Sequence, residues 1–233
     1  MAIIELLTMS CYTSKHMYFQ SRAEAGYRLA LDLMQYRYDD TVVLCTSEGA
    51  ILVGQQIAAS LHTMLTMMLC EVIDVPGESL TFGTVNQSGR FVYNGMFSVS
   101  EIEYYYSEHH GHLEEQKRTA MSRINRLLSD GGFIDEAMLR GRNVIVVSDG
   151  MYNGSSLDAV ADYLKPIRIK RLIIAAPVVS VEAVDRMHIL ADEIHVLSVT
   201  ANFVGVNHYY ENNDIPSREE IISIINAIIL SWR

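Results

Sequence analysis

The sequence predicts an α/β fold: a mainly parallel, twisted sheet flanked by helices, with a small flap or hood. Three observations predict it. Apolar, largely β-branched runs recur at Thr41–Cys45, Val144–Val147 and Arg171–Pro177, as in strands buried on both faces. Each run gives way to a turn of polar or small residues and then to a helical apolar period. No internal repeat, low-complexity run or linker interrupts the 233 residues, a length that fits one domain.

Residues 1–20 give no clear element, although Met17-Tyr18-Phe19 is apolar enough to pack on the domain or a partner. Ser21 then caps a helix over Arg22–Met34, rich in Ala, Leu and Met. Asp39-Asp40 is a turn, Thr41–Cys45 a strand, Thr46–Ala50 a loop, and Ile51–Leu61 a helix. Leu65–Ile73 reads as one further strand, and Gly89–Phe97 as a hairpin or flap. Tyr93 and Phe97 there either pack or cover a base. Glu101–Leu128 is a long helix that Ser129-Asp130-Gly131-Gly132 stops. After Val144–Val147 comes a glycine-bearing loop, then a helix over Leu157–Leu164 with Ser155 or Ser156 as N-cap. The strand Arg171–Pro177, the helix Val181–Leu190 and the strand Ala191–Leu197 follow. Ser217 and Glu220 form a capping box before a last helix over Ile221–Leu230. Residues 20–72 and 140–200 are therefore the sheet core of a single domain spanning 1–233; 73–139 hold the flap and long helix, and 201–233 a C-terminal segment.

The net charge of −10 argues against sequence-independent nucleic-acid binding, so any phosphate site must be local. Cys11, Cys45 and Cys70 suit neither a disulfide framework nor a zinc pattern; free thiols in a reducing, cytoplasmic compartment are expected. Cys45 reads as a small core residue at a strand end. The N-terminus lacks the basic start of a signal peptide, and no apolar run reaches the ~18 residues of a membrane span. His109, His110 and His112 near Glu114-Glu115 offer metal-ligand spacing on the long helix, but a solvated face is the plainer reading.

Chemistry concentrates between Val144 and Leu157. A buried strand, a small-residue loop and a helix N-terminus make an anion site, because free N–H groups point outward and the helix dipole favours negative charge. Asp149 at the strand end can hold sugar hydroxyls or a metal while the loop holds a phosphate.

This stretch resembles the PRPP-binding motif of type I phosphoribosyltransferases: a hydrophobic strand, two acids, a spacer and Thr-Gly-x-Thr. Here Ser148 stands at the first acid and Asp149 at the second, and Asn153-Gly154-Ser155-Ser156 replaces Thr-Gly-x-Thr. Phe19, Arg22, Ala25, Gly26, Leu29 and Ala30 match the opening helix of a bacterial subgroup; apart from that match, the plainer reading of Arg22 is a solvated helix end. Phe203, Val206 and Tyr210 match a later Phe-x-x-Val-x-x-x-Tyr segment. Thr46-Ser47-Glu48-Gly49 occupies the pyrophosphate loop, where the family usually reads Pro-Arg-Gly-Gly; Glu48 replaces the arginine.

The resemblance implies a phosphorylated sugar or nucleotide ligand, Mg²⁺ if the protein is active, and phosphoribosyl transfer from PRPP to a nitrogenous base. Asp149 would be the catalytic acid that holds the ribose hydroxyls, with Gly150, Met151, Tyr152, Asn153, Gly154, Ser155 and Ser156 around the 5-phosphate. The alternative is a binding, regulatory or scaffold protein that keeps the fold without catalysis, favoured by Ser148, Asn153 and Glu48. Homo-oligomerisation stays open, and neither membrane nor nucleic acid is an expected partner.

Overall fold

A computed structural model describes residues 19–78, 80–129 and 136–228. Met17, Tyr18, Cys11 and the expected stop at Asp130-Gly131-Gly132 lie outside these. Five parallel strands form the main sheet: β1 (Thr41–Cys45), β2 (Met64–Met67), β6 (Asn143–Val147), β7 (Arg171–Ser180) and β8 (Glu193–Thr200), in the order β2-β1-β6-β7-β8. The register sets Val43 between Leu65 and Ile145, and Ile145 beside Ile173.

Alternation along these strands divides the core in two. Val43, Cys45, Ile145, Val147, Ile173 and Ala175 face helices α1 (Arg22–Asp32), α2 (Glu48–Leu61) and α6 (Arg218–Ala227). Val42, Leu44, Val144, Val146 and Ile174 face α4 (Ser155–Leu164) and α5 (Val181–Leu190). Helices on both faces explain why β1, β6 and β7 carry no polar side, unlike the half-exposed edge strand β8. α1 crosses α2 closely at Gly26, where a Cβ would lie 2.4 Å from the Val53 carbonyl oxygen.

The run Leu65–Ile73 is two strands rather than one. β2 ends at Met67; the Met68 amide still bonds the Cys45 carbonyl (2.9 Å), and the chain then leaves for a second sheet. That sheet is antiparallel, β3 (Cys70–Asp74), β4 (Thr81–Asn86) and β5 (Phe91–Tyr93). Met68 and Leu69, at the switch itself, are apolar and buried, so no polar break marks it, although β3 beyond is only partly buried. The flap expected at Gly89–Phe97 is part of this sheet, which packs on α4 and on the 31-residue helix α3 (Val99–Ser129). Phe97 and Tyr93 pack against Phe82, with ring centroids 6.3 and 5.4 Å apart. α3 kinks at His109 (φ −120°, ψ 16°), two residues before the Gly111 at which the sequence suggests weakness.

Other boundaries move in ways that matter for the site. α2 starts at Glu48, not Ile51, with Ser47 as N-cap. β7 runs through Pro177 to Ser180. The ladder skips Pro177, stepping from Ala176↔Val196 to Val178↔Ser198, and resumes beyond it. β8 starts at Glu193 and reaches Thr200, and α6 begins at Arg218 with both bonds of the Ser217–Glu220 capping box formed.

Candidate functional site

The carboxyl ends of β1, β6 and β7 carry the motif residues, as open parallel sheets place their ligand sites. The extension of β7 past Pro177 positions the loop. The Met151 amide donates to the Val178 carbonyl (3.0 Å), and the Ser180 amide donates back to Met151 (2.9 Å). The Ser180 hydroxyl donates to the Tyr152 carbonyl and accepts from the Ala183 amide, capping α5 as well.

The loop turns into α4 at Gly154, whose φ of +69° lies in the left-handed region that favours glycine. Gly154 itself is the N-cap, where the sequence suggests Ser155 or Ser156. Asn153 supplies the missing side-chain acceptor, taking the Ser155 amide at 3.2 Å. The amides of Tyr152, Asn153, Gly154 and Ser156 donate to no acceptor among the described residues. Four free N–H groups beside a helix N-terminus are a donor set that an anion can use. Behind the loop, the Arg186 stem would touch a Cβ at Gly154 (3.0 Å), while its guanidinium is paired with the Asp158 carboxylate. The other Asp158 oxygen accepts the Gly95 amide of the second sheet (3.0 Å).

Asp149 is 7% exposed, and each of its carboxylate oxygens accepts a hydrogen bond within the protein. One carboxylate oxygen accepts from Arg22 Nε and the other from the Ser47 hydroxyl, each at 2.8 Å. Arg22 is therefore no solvated helix end: it is 1% exposed. Its other nitrogens donate to Asn207 (2.7 Å) and Asn213 (3.4 Å), and its guanidinium lies 4.6 Å from the Tyr210 ring centroid. The Tyr210 hydroxyl donates to the Asp149 carbonyl, and burial, then the Asp149 charge, push its pKa up. Gly49 leaves room for the pair, since a Cβ there would lie 2.2 Å from an Asp149 oxygen. Sequence reasoning missed Arg22, Asn207, Asn213 and Tyr210 as partners of Asp149. Their signal was the matched positions of Arg22 and Tyr210, with no local pattern to join them.

The Ser148 hydroxyl donates to the Gly150 carbonyl (2.8 Å), bracing the strand end. The Thr46 hydroxyl bonds the Val147 carbonyl (3.3 Å). Ser47 caps α2 through the Ala50 amide, and Glu48 is exposed in the first turn. Val206 covers Gly150, and Phe203 lies 6.0 Å from Tyr152, so the Phe203–Tyr210 segment closes around the motif. Burial, then the Asp149 charge, raise the Cys45 thiol, as suits a core residue. Burial, then Glu71, push Cys70 up to about 12.

Among the described residues no three His, Cys, Asp or Glu side chains converge to hold a metal ion, and His110 packs on Tyr106. The divalent cation that the motif resemblance implies does not fit at Asp149, because there it would lie against the buried Arg22 guanidinium, a charge of like sign. No helix among these residues is long and apolar enough to cross a membrane.

The family model of the phosphoribosyl transferase domain matches residues 19–212. This chain belongs to that family. A Mycobacterium tuberculosis protein with a provisional phosphoribosyl transferase name is 26% identical over 221 residues. The match covers 89% of this chain and 46% of that protein, so the chain spans about half the length of the curated relatives it matches. The crystal structure of TT1426 from Thermus thermophilus superposes with a TM-score of 0.68 and 26% identity, covering 90% of this chain and 98% of that one. The family's parallel sheet with flanking helices is thus present here.

Proposed function

We propose that this protein binds a ribose 5-phosphate group, free or as the 5′-phosphate of a nucleotide, at the loop Met151–Ser156. The observation that carries the reading is the donor set: the unbonded amides of Tyr152, Asn153, Gly154 and Ser156 at the start of α4. Family membership across residues 19–212 supports the ligand class. The commitment of Asp149 to Arg22 and Ser47 favours binding over transfer, because the acid that would grip the ribose hydroxyls is buried in an ion pair. Phosphoribosyl transfer from PRPP to a nitrogenous base is the second reading, supported by the family alone.

Calorimetry with ribose 5-phosphate and with ribose tests the proposal. The phosphate ester binds and the free sugar does not. Ser156→Glu suits a helix first turn and leaves the fold intact, but sets a like charge at the donor set. Its affinity for ribose 5-phosphate should fall about tenfold or more. Equal affinity in both proteins overturns the site. Pyrophosphate release from PRPP with a panel of bases would move the protein to the second reading.

A further inference from the structure

We propose that Arg22 is the built-in counter-cation of this site: it withholds Asp149 from divalent cations and sugar hydroxyls, and so selects phosphate monoesters that bind without metal. The choice of ligand rests on the reading of the loop given above; the role of Arg22 rests on its own geometry. Its Nε donates to one Asp149 oxygen while Ser47 fills the other, both at 2.8 Å. Asn207 and Asn213 hold the two terminal nitrogens, and the Tyr210 ring covers the guanidinium face. Tyr210 in turn bonds the Asp149 carbonyl, so one aromatic side chain fixes both members of the pair.

Several elements thereby converge on one ion pair: α1 through Arg22, the α2 cap through Ser47, the end of β6 through Asp149, and the C-terminal segment through Asn207, Asn213 and Tyr210. Gly49 is the space under it, where any side chain would strike Asp149 and Arg22. A buried charge whose partner leaves is strongly destabilised. A divalent cation reaching Asp149 would have to expel Arg22 from all these contacts or lie against a guanidinium of like sign. Arg22 does not reach the ligand in this argument; it is a positioning residue that sets the charge of the acid behind the loop.

Manganese alone, followed by water-proton relaxation, is the direct probe. Wild type should show no saturable Mn²⁺ site. Arg22→Gln should show a saturable Mn²⁺ site that wild type lacks, because a like charge at contact distance is removed. Arg22→Gln combined with Asp149→Asn should lose that site. Wild-type affinity for ribose 5-phosphate should be the same with and without Mg²⁺. Three results overturn the proposal: an Mn²⁺ site in wild type that Asp149→Asn abolishes, a folded Arg22→Gln with no such site, or Mg²⁺ tightening ribose 5-phosphate binding by more than about tenfold. If Arg22→Gln does not fold, the wild-type measurements decide. Failure of ribose 5-phosphate to bind at all would sink the reading of the loop and leave the manganese results to judge Arg22.

Discussion

Gly49→Ala should destabilise the protein although alanine is the better helix former. Gly49 sits in the first turn of α2, and on propensity alone the change would gain up to about 1 kcal/mol. The new Cβ would lie 2.2 Å from Asp149 Oδ2, 2.7 Å from Arg22 Nε and 3.0 Å from Asp149 Cγ. These atoms are not the loose end of a flexible side chain, because Arg22 and Asp149 are buried and bonded on all sides. Either α2 moves away, an overpacking cost of about 1–3 kcal/mol, or the buried pair parts, at about 3–5 kcal/mol. After the propensity gain, the net loss is about 2 kcal/mol. Urea unfolding followed by circular dichroism measures it. Gly111→Ala is the control: it also lies in a helix, and a Cβ there meets nothing within 4 Å. It should be neutral or stabilising by up to about 1 kcal/mol. A Gly49→Ala protein as stable as wild type would refute the argument that this glycine exists to seat the ion pair.

Glu48→Arg places a cation in the first turn of α2, where the exposed carboxylate now favours the helix, and should cost about 0.5–1 kcal/mol of stability. It should also narrow the preference for a monophosphate over PRPP by roughly fivefold, the like-charge contact being cut to about 1 kcal/mol by solvent at this exposed place; an unchanged ratio would show that Glu48 touches neither ligand. Ser148→Asp restores the first acid of the family motif and should raise PRPP affinity by about 1 kcal/mol with Mg²⁺ present. The same change loses the hydrogen bond to the Gly150 carbonyl, so stability falls by about 1 kcal/mol in parallel; calorimetry without a gain would mean that the acid is not the missing element. Away from the site, burial alone would raise the Glu193 carboxyl, but hydrogen bonds from Tyr36, His195 and Gln35 outweigh it and hold the pKa below its ordinary 4.5. A depressed carboxylate contributes stability above its unfolded pKa and loses it as pH falls through the folded one. Glu193→Gln should therefore be less stable than wild type at neutral pH, with the difference shrinking below about pH 4; a constant difference would contradict this.

The sheet was legible because its strands are buried on both faces and therefore spell themselves as unbroken apolar runs. The capping box at Ser217 and the loop before α4 were legible because caps and turns are short-range chemistry. What was not legible is long-range. Arg22 and Asp149 stand 127 residues apart, and nothing local tells an arginine at a helix start that its partner ends a distant strand. The same holds for Asn207 and Asn213. The division between β2 and β3 was hidden because Met68 and Leu69, between the two strands, are themselves apolar and buried. The extension of β7 past Pro177 was hidden by the proline itself, which reads as a strand end, although the pairing skips it and resumes at Val178. Gly154 as N-cap was signalled weakly by its neighbour Asn153, whose side chain bonds two residues ahead.

The claim that the loop Met151–Ser156 is a phosphate site is tested most directly by backbone amide NMR during a titration with inorganic phosphate. The amides of Tyr152, Asn153, Gly154 and Ser156 are those of the loop that no acceptor among the described residues takes. They should shift together and saturate along one binding curve, while the Ser155 amide, already held by Asn153, moves less. Amides of the loop that stay still at saturating phosphate, or that shift only in proportion to added salt, would contradict the account.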